Sequence, residues 1–256
     1  MKFSTIKNTD IAISALGLGT VKFGRTQGVK YPHAFTLPTD KEIKNLLALS
    51  RSLKINLIDT APAYGISETR LGPLLKSQRH DWVIATKAGE EFANGVSHFD
   101  FSAKHISQSV ERSLRRLETD YLDIVLIHSD GRDQQIIEED QVFQTLATLK
   151  QKGWIKAFGM STKTVEGGLL ALEYADIAMV TYNLEHTDEQ AVIHYAEQQH
   201  KTVLIKKGLM SGHLKTDLQT AMNFIFKHQG VSSLIVGTLN PAHLMQNVQA
   251  LQKALL

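Results

Sequence analysis

The chain has 256 residues, 43% of them hydrophobic and 21% charged, which is enough to bury one substantial core without covalent staples. Its 28 Lys and Arg are spread along the chain and nearly balanced by 26 Asp and Glu, so there is no basic stripe of the kind that grips nucleic acid. Cysteine is absent, which excludes disulfide frameworks, thiolate nucleophiles, zinc ribbons and iron–sulfur ligation and fits a reducing compartment.

Met1–Lys7 lacks the apolar stretch of a signal peptide, and no apolar run approaches the roughly 18 residues that span a membrane. The expectation is a cytoplasmic protein with no membrane and no nucleic-acid partner, one domain over residues 1–256, and a monomer by default. In chain order, Ala15–Gly19, Ile55–Asp59, Trp82–Thr86, Leu122–His128, Ile155–Gly159, Ile177–Thr181, Thr202–Lys206 and Ser232–Gly237 read as strands. They are short, rich in Ile, Leu and Val, and mostly not alternating, as strands covered on both faces are. The stretch from Gly24 to Pro38, with Arg25, Lys30 and His33, reads as a loop. Between the strands, helical spacing aligns Ile106, Val110, Leu114 and Leu117 on one face, and Val142, Leu146 and Leu149 on another. Thr39 with Glu42 and Thr187 with Gln190 have capping-box spacing, and Asn240-Pro241 offers an N-cap followed by Pro. About eight strand–helix units in roughly 250 residues match an α/β fold of the (β/α)₈ TIM-barrel type. A doubly wound sheet is the competitor, because strand order is not written in a sequence.

Four polar residues fall at or just after the carboxyl ends of consecutive strands: Asp59, Tyr64, Lys87 and His128. Singly, each has a bland reading as a helix cap, a snorkelling lysine or a rim histidine. Together they suit reduction of a carbonyl, which needs a proton for the developing alkoxide. A tyrosine, with an ordinary pKa of about 10, holds its proton at neutrality and needs help to release it. A neighbouring ammonium stabilises the phenolate, a carboxylate keeps that ammonium charged and oriented, and a histidine on the pocket wall can donate to the carbonyl oxygen.

Leu16-Gly17-Leu18-Gly19-Thr20, Asp59-Thr60-Ala61-Pro62-Ala63-Tyr64-Gly65 with Ser67-Glu68, Thr86-Lys87 and Asp120–His128 resemble the signature blocks of the aldo-keto reductases. That resemblance implies a (β/α)₈ barrel reducing a small-molecule aldehyde or ketone with a nicotinamide cofactor, usually NADPH, with NADH possible. It places the catalytic tetrad on Asp59, Tyr64, Lys87 and His128, with Tyr64 as proton donor, and puts Gly19 and Thr20 beside Asp59 on the cofactor side. Ser161 matches the serine that holds the nicotinamide amide, whereas Thr162 stands at the usual Asn position and Met179 at the usual Gln. A thioether is a weak acceptor and no donor. Tyr182 matches the aromatic that stacks on the nicotinamide. Lys206, Lys207, Gly208, Leu209 and Ser211 match the diphosphate segment, and Gly237, Thr238 and Asn240 open the last helix at the adenosine end. There His243, with Asn247 a turn later, occupies the place of an arginine that grips the 2′-phosphate, so the preference between NADPH and NADH stays open. The short loop after His128 and the end of the chain at Leu256 predict a shallow, open pocket.

Several competitors fail on single residues. A Rossmann fingerprint needs glycine at position 22, where Lys22 stands; no Tyr-x-x-x-Lys occurs; and Gly159-x-Ser161-x-Lys163 lacks the last glycine of a hydrolase elbow. No metal-ligand spacing is present. The alternative of another class is a catalytically weak nicotinamide-binding sensor or partner subunit on the same barrel, favoured only by Thr162 and Met179.

Overall fold

The computed structural model describes Met1–Leu256. Its eight barrel strands are β1 (Leu16–Gly19), β2 (Leu57–Asp59), β3 (Val83–Ala88), β4 (Leu122–His128), β5 (Ile155–Ser161), β6 (Ile177–Thr181), β7 (Thr202–Lys206) and β8 (Val231–Val236). The helices that follow them in turn are α1 (Asp40–Ser52), α2 (Ser67–Leu75), α3 (Ala103–Arg116), α4 (Val142–Gln151), α5 (Val165–Tyr174), α6 (Gln190–Gln199), α7 (Leu218–Phe226) and α8 (Pro241–Ala254). All neighbouring strands are parallel, and β8 returns to β1 through Leu234↔Leu16, Ile235↔Gly17 and Val236↔Leu18. That pairing closes the sheet and decides between the two architectures the strand pattern allowed. No helix is long and apolar enough to cross a membrane.

Closure sorts the strand side chains into two layers. Leu57, Val83, Ala85, Ile124, Leu126, Ala157, Ile177, Met179 and Leu204 fill the inside of the barrel. Val125, Ile127, Phe158, Ala178, Val180, Val203 and Ile205 point outward into the larger core beneath the helices. A short N-terminal hairpin, Phe3–Thr5 with Ala12–Ser14, brings Ile6, Ile11 and Ile13 into the inner cluster. Burial on both faces is why the strands carry no alternating polar signal.

Two of the helix starts occur as the spacing predicts. Thr39 and Glu42 form both halves of a capping box, and Asn240 caps α8 with Pro241 at its first turn. The expected box at Thr187 and Gln190 does not form. Helix α6 begins at Gln190 after Glu189, and the Gln190 side chain accepts a 3.1 Å hydrogen bond from the Tyr182 hydroxyl instead. A further hairpin, Glu90–Ala93 with Val96–Phe99, follows β3 and was not expected. Its turn is Asn94-Gly95, both with positive φ (53° and 82°), the dipeptide that most strongly marks a two-residue hairpin.

Gly159 meets the tightest constraint in the sheet, since a Cβ there would lie 1.8 Å from the Ile177 carbonyl oxygen on β6. Gly159→Ala must therefore push β5 from β6, and we expect a loss of about 3 kcal/mol or failure to fold. Urea denaturation checks this, and a loss below about 1 kcal/mol would contradict the packing described.

Candidate active site

The register of the barrel brings the polar strand ends to one level. Asp59 lies opposite Gly19, and His128 lies opposite Ser161, which in turn lies opposite Met179. After β2 the chain makes a single tight turn, Pro62–Tyr64, and leaves it through Gly65 at φ 64°. A side chain there would be strained, and its Cβ would sit 2.2 Å from the Gly24 carbonyl oxygen, so glycine is required to aim Tyr64 back at the barrel. The turn is tied down behind the site. The Ser67 hydroxyl donates to Thr20 and accepts from Thr60, while the Thr20 hydroxyl and N–H both donate to the Asp59 carbonyl. Buried Glu68 accepts a 2.6 Å hydrogen bond from Thr86, the neighbour of Lys87.

Lys87 is 2% exposed and has three acceptors around its ammonium: Asp59 Oδ1 at 2.6 Å, the Thr60 carbonyl at 2.9 Å and the Tyr64 hydroxyl at 3.1 Å. The Tyr64 hydroxyl also lies 3.4 Å from Asp59 Oδ2. Burial first, and then the negative charge of Asp59, push the Tyr64 phenol well above its ordinary pKa. The phenol therefore keeps its proton at neutrality and releases it only where a new negative charge draws it off.

His128 faces Tyr64 edge-on, with ring centroids 6.4 Å apart. Its Nδ1 lies 2.6 Å from Glu90 Oε2 at the start of the unexpected hairpin, bent away from ideal hydrogen-bond alignment. Ser97 donates to the other Glu90 oxygen at 2.6 Å. Burial opposes ionisation of Glu90, but His128, Ser97 and Arg25 together outweigh it and bring the carboxyl down to about 2. His128 moves the other way from its ordinary value. Burial lowers it more than Glu90 raises it, and Lys87 and Lys206 add to the lowering. Glu90 escaped the sequence reading, although Asn94-Gly95 would have located its hairpin.

The residues expected around a cofactor divide into those that line one cavity and those that do not. A cavity of about 630 Å³ at the carboxyl ends of β5, β6 and β7 is lined by Lys163, Thr181, Asn183, Lys206, Lys207 and Ser211, with Lys30 reaching in from the loop after β1. Ser161 and Thr162 sit at its inner edge, and Met179 is inside the barrel below them. Tyr182 is a correction. It alternates with Thr181 and faces outward, fully buried, with its ring stacked 5.1 Å from Phe224 and its hydroxyl 2.8 Å from His228 Nε2. It cannot stack on anything at the barrel mouth. Lys206 is another. Its ammonium folds inward, donating to Ser161 Oγ at 2.9 Å and to the Thr162 carbonyl at 2.6 Å, and burial pushes its pKa down to about 7. The Thr162 hydroxyl points to Glu189, 3.4 Å away. Gly208 and Leu209 pack toward the core, while Lys207 and Ser211 stand at positive φ with their side chains toward the cavity. Thr238 accepts from the Asn240 N–H, His243 is exposed on α8 and Asn247 is buried on its inner face. Gly19 and Thr20 are buried behind Asp59.

Comparison with known proteins agrees with this fold. The sequence model of the Aldo/keto reductase family matches residues 15–217. The chain is 30% identical to the aldo-keto reductase YhdN of Bacillus subtilis over 221 residues, 84% of this chain and 64% of YhdN. It is 29% identical to the NADH-specific methylglyoxal reductase of Escherichia coli over 194 residues, 70% of this chain and 58% of that protein. It thus spans about half to two thirds of such relatives, including 49% of the oxidoreductase YqkF of Bacillus subtilis. A crystal structure of an aldo-keto reductase-type protein from Pseudomonas aeruginosa superposes with a TM-score of 0.92 at 52% identity, covering 99% of this chain and 95% of that one.

Because the folded pKa of Glu90 is below the unfolded value of about 4.3, its contribution is complete above about pH 5 and is lost as pH falls towards 2. Wild type should exceed Glu90→Gln in stability by on the order of 2 kcal/mol at pH 5, and the gap should narrow from there towards pH 2.5. Urea denaturation of both proteins across that range measures it, and a gap independent of pH would contradict the assignment.

Proposed function

Since the chain belongs to the aldo/keto reductase family, we propose that it reduces a small aldehyde or ketone to an alcohol, with Tyr64 giving the proton. The observation that carries this reading is the Lys87 ammonium bonded at once to Asp59 and to the Tyr64 hydroxyl. As Tyr64 passes its proton to the carbonyl oxygen, the phenolate left behind lies against Lys87, and Asp59 holds that ammonium in place. His128 forms the facing wall of the same mouth.

The residues present fit a nicotinamide cofactor in the chemistry of their donors. Lys30, Lys163, Lys207 and Ser211 offer positive charge and hydrogen bonds to a diphosphate around one cavity. Ser161 would hold the amide end beside Thr162 and Met179, and Gly237, Thr238, Asn240, His243 and Asn247 would meet the adenosine end. Gly19 and Thr20 would form the floor beside Asp59. When bound, the cofactor supplies the hydride. NADPH is our first expectation and NADH the second. His243 provides no permanent charge for a 2′-phosphate.

A second reading, a nicotinamide-binding sensor or partner subunit with negligible turnover, is favoured by the side chains at the amide end. Thr162 bonds to Glu189, Met179 has no donor, and Tyr182 is turned away.

Cofactor consumption with a small oxoaldehyde, wild type beside Tyr64→Phe, separates the two. The reductase reading expects kcat to fall about 10³-fold in the variant while cofactor affinity, followed by fluorescence quenching, is unchanged. Binding without turnover in wild type moves the second reading ahead, and equal activity in both proteins would mean that Tyr64 is not the acid. In the same assay His243→Arg should raise the preference for NADPH over NADH about tenfold, and no change would place the 2′-phosphate elsewhere.

A further inference from the structure

Two strand-end lysines turn their ammonium groups into the barrel, and they are balanced differently. Lys87 of β3 lies 2.6 Å from the Asp59 carboxylate. Lys206 of β7 instead donates to two neutral acceptors, Ser161 Oγ at 2.9 Å and the Thr162 carbonyl at 2.6 Å. Glu189, just before α6, attracts it, but the Glu189 oxygens are engaged by the Thr181 N–H at 2.8 Å and the Thr162 hydroxyl at 3.4 Å. Strand β6 lies between β5 and β7, with Thr181 level with Lys206 and Met179 level with Ser161. The lysine therefore reaches across the inner face of β6, above Met179, and sets a positive charge at the inner end of the cavity it lines. Its field extends to His128 on β4, where it adds, after burial and beside Lys87, to the lowering of the imidazole.

The bond from Lys206 occupies the Ser161 oxygen as an acceptor and leaves the Ser161 proton to be given to a ligand carbonyl. Whatever Ser161 holds therefore has an ammonium as its neighbour on the same oxygen. We propose that Lys206 makes this site distinguish the two redox states of a nicotinamide, holding the neutral reduced ring and repelling the positively charged oxidised one. This rests on the nicotinamide reading of the cavity, with the amide end at Ser161. A fixed cation beside the ring costs nothing when the ring is neutral and opposes it when the ring is a cation. Met179 and Thr162, the other residues at that end, carry no charge to offset Lys206. The diphosphate and adenosine ends are identical in the two forms, so Lys30, Lys163 and Lys207 bear on both alike. A site built this way takes up the reduced cofactor and gives up the oxidised one.

Dissociation constants for NADPH and NADP⁺, and for NADH and NAD⁺, measured by titration calorimetry, test this without turnover. The ratio of constants within each pair isolates the ring end. At pH 6.0 wild type should hold the reduced form about tenfold more tightly than the oxidised one. Lys206→Gln keeps an N–H for Ser161 but no charge, and should bring the two constants within about twofold of each other. Lys207→Met should weaken both forms and leave their ratio as it is. Wild-type constants within about twofold, a ratio retained in Lys206→Gln, or an equal fall of the ratio in Lys207→Met overturns the proposal. Should Lys206→Gln fail to fold, Lys206→Met, which fills the same space with an apolar chain, is read in its place.

The same ratio read against pH gives a second arm, which a merely structural lysine would not move. Burial above all brings Lys206 down to about 7, with Glu189 and Asp133 drawing it up and Lys207 and Lys163 pressing it down. The ammonium thus prevails at pH 6.0 and the free amine at pH 8.5. The preference for the reduced form should shrink severalfold between those values in wild type and stay flat in Lys206→Gln. His128, His186 and His213 face the same space but are common to both proteins. A wild-type ratio that ignores pH, or one that changes equally in both proteins, overturns the proposal. If neither form of either cofactor binds, the nicotinamide reading itself fails, whereas binding of both forms without discrimination overturns the role of Lys206 alone.

Discussion

A buried positive charge organises the mouth of this barrel. Lys87 belongs to β3, whose residues are all buried, so its ammonium has to be satisfied without water. Asp59, the Thr60 carbonyl and the Tyr64 hydroxyl do this, all three from the end of β2 and the turn that follows it. Stripping one charged partner from such a pair typically costs about 3–5 kcal/mol, because the charge left behind stays buried. Much of the local structure serves that arrangement. Gly65 and Gly24 let the turn fold back, Ser67 knots Thr20 to Thr60, and Glu68 fixes Thr86 beside the lysine.

Around that centre, polar groups are paired across the mouth. Asp59 sits against Lys87 on one side and Glu90 against His128 on the other, while Lys206 folds onto Ser161 at the ends of β5 and β7. The loop from Gly24 to Pro38 ties these sides together. The Lys22 ammonium lies 3.8 Å from the centre of the Tyr31 ring, Arg25 packs on Phe92, and the Tyr31 hydroxyl would be 2.8 Å from a Cβ at Gly237. Burial, with Asp59 adding to it, pushes the Tyr31 phenol up to about 12, so this second tyrosine is neutral as well. Cation–π contacts thus hold the loop against the barrel mouth beside Gly237.

The sequence alone determined where the eight strands lie, that they are covered on both faces, and which four polar residues stand at their carboxyl ends. Apolar runs, loop punctuation and residue type are local properties, and a barrel repeats one local unit eight times. It also carried the signals for α1 and α8, because a capping box and an Asn-Pro start act within four residues. Only the tertiary structure decided what depends on register and direction. Closure of β8 onto β1 is a contact between residues more than two hundred positions apart. Alternation along β6 sends Met179 inward and Tyr182 out to Phe224, a choice that flips with a single step of register. Lys206 turns in because Ser161 and the Thr162 carbonyl wait across the barrel, and His128 finds its carboxylate in a hairpin some forty residues earlier. Residue type names the chemistry a side chain can do, but the partner that settles its proton is brought by the fold.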